Sequence, residues 1–201
     1  MTTITPPLLD SSVLPMVELL ALCLDGHLYR VGDAFAPVDT PDGPELRARA
    51  FAASAPEWAV ADRGSAAWIH GTRSSAPPIP QFGLPESRRG GIPAGASMDV
   101  SHRTLHADDT VRIAGVMVTT PVRTALDLAA APGAFPHGAA LEVRHLLELA
   151  QVTPAAFDQL LRDDHRKGCV LARSRVPAIA RATLPVPDRP DAVPEPALSR
   201  R

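Results

Sequence analysis

Proline divides this chain before any other residue type does. It lacks a backbone N–H and fixes φ, so it suits the first turn of a helix and is disfavoured in the interior. The chain carries 22 prolines in 201 residues, and four of them, Pro15, Pro44, Pro121 and Pro154, stand at the head of runs with apolar residues at helical spacing. These predict helices over residues 15–24, 44–53, 121–130 and 154–162, with Ser12, Thr120 and Thr153 as caps for the first, third and fourth. Met16, Leu19, Leu20 and Cys23 are expected on the buried face of the first. Pro44 opens the second, which buries Leu46, Ala50 and Phe51. A short helix over 65–70 closed by Gly71, and longer ones over 138–150 and 170–182, complete the helical set.

Between the helices the pattern changes to short β-like runs bounded by turn residues. Residues 27–31 and 34–38 flank Gly32-Asp33 as a hairpin. Residues 58–61, 81–84, 98–105, 110–113 and 116–119 read as further strands, with Ala114-Gly115 as a tight turn. The expected class is α+β: a reduced N-terminal winged-helix-like piece (1–55), a domain with a central antiparallel sheet and helices that ends in a C-terminal helical region (56–182), and a disordered Pro-rich tail (183–201). Aromatic residues make up only 4%, so the core must be built from Ala, Val and Leu.

Charge and motif content narrow the function. The formal charge is −2, so a nucleic-acid surface has to be local. Residues 1–43 hold Asp10, Glu18, Asp25, Asp33, Asp39 and Asp42 against Arg30 alone, a balance of −5. DNA affinity rests on Lys and Arg neutralising phosphates, and the helix MVELLALCLD offers no Arg, Asn or Gln to read base edges. This piece is therefore expected not to bind DNA by itself, and reads as a remnant wing packed on the second domain. Residues 160–182 hold six basic residues against two acids, a balance of +4. Arg162, Arg166, Lys167, Arg173 and Arg175, with Arg88 and Arg89 from a turn-rich loop, are the candidate contacts to a partner or to nucleic acid; the alternative is a solvated charged face.

No catalytic pattern stands out. His102 and His106 lie beside Asp99, Asp108 and Asp109, but on strand and loop rather than on a helix that would converge them, so no metal is expected. Asp163-Asp164-His165 are adjacent, which makes their side chains diverge. GxSxG, HExxH, Walker A and GxGxxG are absent, so neither an enzyme nor a cofactor is expected. Two distant cysteines, Cys23 and Cys169, form no disulfide or zinc pattern, and Cys23 reads as a buried thiol. MTTITPPLLD has no basic start or long apolar run, and no stretch reaches the roughly 20 apolar residues of a membrane span. The expected setting is the cytoplasm.

Three segments carry a resemblance: Asp25-Gly26-His27-Leu28-Tyr29-Arg30-Val31-Gly32-Asp33, then Ala61-Asp62-Arg63-Gly64-Ser65-Ala66-Ala67-Trp68-Ile69-His70-Gly71, then Gly115-Val116-Met117-Val118-Thr119-Thr120-Pro121-Val122-Arg123-Thr124-Ala125-Leu126-Asp127-Leu128-Ala129. In this order the chain, from about residue 14 to about residue 180, resembles actinobacterial proteins grouped with the AbiEi family of type IV toxin–antitoxin antitoxins. The resemblance implies an N-terminal winged helix-turn-helix and an α/β antitoxin domain after it. It also implies repression of the protein's own operon through operator DNA, and opposition, direct or functional, to a nucleotidyltransferase-like toxin. Arg63, Trp68, Thr120, Pro121, Arg123 and Asp127 are read as scaffold within these motifs, with a partner surface as the other reading. Two alternatives stay open beside an antitoxin-like regulator: a DNA-binding transcriptional regulator without a toxin, and an interaction module retaining only the fold.

Overall fold

The structure is a computed structural model that describes residues 8–84, 99–101, 105–164 and 166–183. Helix α1 (Met16–Leu24) leads into a hairpin of β1 (Leu28–Val31) and β2 (Ala34–Pro37). Gly32 turns that hairpin at φ +62°, a conformation that favours glycine. Helix α2 (Pro44–Ser54) starts with proline in its first turn, where the missing N–H leaves no bond unmade. The chain continues through β3 (Val60–Ala61), α3 (Arg63–Ile69), β4 (Gln81–Gly83) and β5 (Asp99–Ser101). A single 3₁₀ turn at Ala107–Asp109 then feeds β6 (Thr110–Ile113) and β7 (Val116–Thr119). Four helices follow: α4 (Pro121–Ala129), α5 (His137–Leu149), α6 (Pro154–Asp163) and α7 (Cys169–Arg181).

The class is α+β as the sequence pattern implies, but the central sheet is mixed where an antiparallel one is expected. Its order is β5-β4-β3-β7-β6, with β3–β7 and β4–β5 parallel and β3–β4 and β6–β7 antiparallel. A tight turn forces antiparallel pairing only on β6–β7, where Ala114 and Gly115 both take positive φ (+46° and +88°). The other pairings join strands separated by long connections, which leave direction to be set by packing.

Hydrophobic burial forms two main cores. In the first, Val31 and Ala36 of the hairpin, Phe51 of α2, Trp68 of α3 and Phe82 and Val118 of the sheet pack together. The hairpin thus lies against the sheet domain. The second unites the last four helices through Ala125, Val143, Leu146, Phe157, Ala172 and Ile179. Each large apolar side chain so buried contributes roughly 1.5–3 kcal/mol. Gly168 (φ +99°) starts α7 against the end of α4, where a Cβ would sit 2.7 Å from that of Ala130.

Three local expectations change near α1. Ser12 does not cap it: its backbone N–H and hydroxyl both go to the Asp10 carboxylate, and Pro15 holds the cap position without a side-chain bond. Of the four residues expected on its buried face, only Leu19 is buried, in a small third cluster with Leu28 and Phe35. Met16 and Leu20 are exposed, and Cys23 is half-buried. The strand expected over 98–105 is observed as β5 alone; residues 98 and 102–104, and the tail from Leu184, lie outside the described residues.

Candidate functional site

Thr119-Thr120-Pro121 ends a strand and starts α4. The Thr120 hydroxyl accepts from the Arg123 backbone N–H at 3.3 Å, satisfying one of the helix's free donors, and Pro121 fills its first turn. This sets Arg123 and Asp127 one turn apart on the inward face, joined through Nε at 3.1 Å. Their side chains are only 3% and 2% exposed, so the small value of an exposed helical pair does not apply. Arg123 also donates to Asp109 at 2.6 Å. Asp109 accepts in addition from the His106 backbone N–H and, through both carboxylate oxygens, from Arg166 at 3.0 and 2.8 Å. Arg166 in turn holds Asp164 at 2.7 Å. One chain of charges therefore ties the turn before β6 to α4 and to the α6–α7 joint.

Burial works to raise the Asp109 carboxyl, yet the His106 N–H, Arg166 and Arg123 together hold it below the usual carboxylate range. The hydrogen bond to Asp164 holds the Arg166 guanidinium charged well beyond its ordinary value, and Asp109 adds to it.

A second polar cluster closes the other side of the sheet. Arg63 opens α3 in a left-handed backbone conformation, φ +44°. Its Nε donates to Asp62, and its two terminal nitrogens donate to the carboxylate and the carbonyl of Asp99 at 2.9 Å. Gln81 bridges the Gly64 N–H to Asp99, and Ser101 donates to Asp62. Burial pushes the Asp62 carboxyl up to about 6, against the pull of Arg63 and Ser101, and Asp127 adds to the rise. Nearby, His70 meets the Thr119 carbonyl at 2.7 Å, and burial holds its ring below the usual imidazole value.

Trp68 is buried, with the Gly32 backbone against its ring and the Arg47 guanidinium 6.0 Å from the ring centre. It lines a cavity of about 340 Å³ under the hairpin, with Phe51, Ser65 and Pro78.

The residues of the C-terminal basic run do not form one surface. Arg175 is buried and donates to the carbonyls of Ala129, Ala131 and Gly133 at 2.6–2.8 Å, over the ring of Phe135. It thus satisfies the carbonyl end of α4. Arg166 belongs to the Asp109 network. Arg162 and Arg173 both approach Asp158, while Lys167 is exposed. Arg88, Arg89, His102 and His165 lie outside the described residues. Among the described residues, no three His, Cys, Asp or Glu side chains are grouped to hold a metal ion. Asp62, Gln81, Asp99 and Asp109 organise both clusters; Asp99 and Asp109 are weighed from the sequence only as metal ligands beside His102 and His106, and Asp62 and Gln81 are not singled out. Asp62 stands inside a quoted motif, next to Arg63, and that adjacency is the only signal it gave.

These features define an α+β domain whose inward charged groups bind its own elements to one another. Residues 59–186 match the family model of the AbiEi antitoxin C-terminal domain. The chain belongs to that family. No curated protein matches it. Among the described residues, no helix is long and apolar enough to cross a membrane.

Proposed function

We propose that the chain is the antitoxin-like regulator of a type IV toxin–antitoxin pair, acting in the cytoplasm by binding a macromolecular partner rather than by catalysis. The match of the antitoxin domain over residues 59–186 carries this reading. The geometry supports it: the charged groups near α4 and β5 hold one another in ion pairs, so the domain reads as a rigid frame presenting a surface. Arg63, Trp68, Thr120, Pro121, Arg123 and Asp127 belong to that frame. The toxin is a nucleotidyltransferase-like protein, opposed directly or functionally, and the chain represses its own operon.

Co-expression tests it. The chain is expected to restore growth to cells producing a nucleotidyltransferase toxin encoded in the same operon, and to lower expression from that operon's promoter. Absence of rescue with soluble protein present overturns the antitoxin reading. Repression without rescue would favour a transcriptional regulator that has no toxin.

A further inference from the structure

Helix α1 stands directly ahead of the hairpin, the position of a recognition helix in a winged helix-turn-helix, and its surface has the wrong chemistry for DNA. Val13, Met16, Val17, Leu20 and Leu24 are 45–90% exposed. Spacings of three and four residues align Val17, Leu20 and Leu24 along one side of the helix, and Val13 is exposed in the turn before it. Contiguous apolar surface of this kind marks an interaction site more often than chance exposure does. The charges around it are acidic: Glu18, Asp25 and Asp39 are exposed, and among the described residues no basic side chain pairs with them. Arg30, the single base before residue 44, is turned toward Asp33.

We infer that α1 is a protein-docking helix whose occupant is an apolar helical segment flanked by Lys or Arg on the partner. The inference rests on the reading that the chain acts by binding a macromolecule, and it supplies that partner's chemistry. Charge complementarity selects this occupant. Phosphate backbones and anionic membranes are repelled by the same acids. A second copy of this chain brings its own acidic α1 against the first, and like charges set against each other oppose that pairing.

The probes are a designed amphipathic peptide of leucine and lysine and its leucine/glutamate counterpart, titrated against the full chain by fluorescence anisotropy. The Leu/Lys peptide is expected to bind saturably and more weakly as salt rises, and the Leu/Glu peptide not to bind. Val17→Gln/Leu24→Gln removes the stripe, and Glu18→Lys/Asp25→Lys reverses the charge. Each is expected to weaken binding about tenfold or more, roughly 1.4 kcal/mol, with an unchanged melting temperature. Undiminished binding by both variants, or equal binding of the two peptides, overturns the inference. So does sedimentation showing a dimer that Val17→Gln/Leu24→Gln dissolves, because the occupant is then a second copy. The growth assay separates this proposal from the one before it. Wild-type protein that fails to rescue growth, yet binds the Leu/Lys peptide through α1, refutes the antitoxin reading and leaves the docking helix standing.

Discussion

Helices α1 and α4 are each nine residues long and opposite in character. The first, MVELLALCL, is nearly all apolar and buries one side chain, Leu19. The second, PVRTALDLA, carries an arginine, a threonine and an aspartate, and buries six residues including all three of those. Composition alone would place them the other way round. Burial in this chain follows partners: α4 lies where Asp109 and Thr119 meet its polar groups with fitting ones, whereas α1 packs against a two-stranded hairpin that offers only Leu28 and Phe35. A polar residue is buried when its hydrogen bonds are met, and an apolar one stays exposed when nothing covers it.

The sharpest way to break this comparison is to remove the charge that α4 buries. Arg123→Met takes a partner from both Asp127 and Asp109. It is expected to cost about 3–5 kcal/mol in urea unfolding, the usual penalty for stranding a buried charge. Arg123→Met/Asp127→Leu should recover part of that loss. A cost under about 1 kcal/mol would show that the network is solvated and that the two helices differ less than their burial implies.

Next in size is the Asp62 cluster. Burial pushes its carboxyl up to about 6 in the folded protein, against an ordinary 3.8. Between those values the folded state binds the proton and the unfolded chain releases it, so this group's contribution to stability is lost as pH rises from about 4 to about 6. The full span corresponds to about 3 kcal/mol. Asp62→Asn fixes the uncharged form, so the variant's melting temperature relative to wild type is expected to rise between pH 4.5 and pH 8. A difference that is flat across that range would mean that Arg63 and Ser101 fully offset the burial.

Thr120→Ala removes the α4 cap and is expected to cost about 1 kcal/mol by the same unfolding measurement. At the small end, Leu24→Gln on α1 should change stability by no more than about 0.5 kcal/mol, since that side chain is 90% exposed. A larger loss would show that α1 is covered in solution by something that stabilises the fold.

Local chemistry was legible in the sequence where it is self-contained. Thr120-Pro121 and Thr153-Pro154 mark the starts of α4 and α6, and the observed caps are those two threonines. Gly32 and Ala114-Gly115 mark the two hairpins. Strand direction was not legible, because β3 is two residues long and the long connections around it permit either sense. The charge count over residues 160–182 hides a division among its members for a related reason. A charge count along the chain cannot see that Asp109, 57 residues earlier, meets Arg166, or that carbonyls at the end of α4 take up Arg175. The Arg123–Asp127 spacing showed the pair but not its depth, which goes with Asp109 arriving from the turn before β6 to meet Arg123. The Asp62 and Asp99 roles depend on a register between β4 and β5 that no local pattern encodes.

Arg175 reaches back 46 residues to the last carbonyl of α4, and Arg166 reaches back 57 to Asp109. Seen from the ribosome, α4 emerges long before the two side chains that complete it. Until α7 follows, its end carbonyls have only water, and Asp109 has only part of its cation pair. The latch of the four-helix half is thus made last in synthesis and joins several elements at once. A chain terminated ahead of residue 166 would lose more than one helix. It would leave every earlier helix of that half assembled around an open fastening.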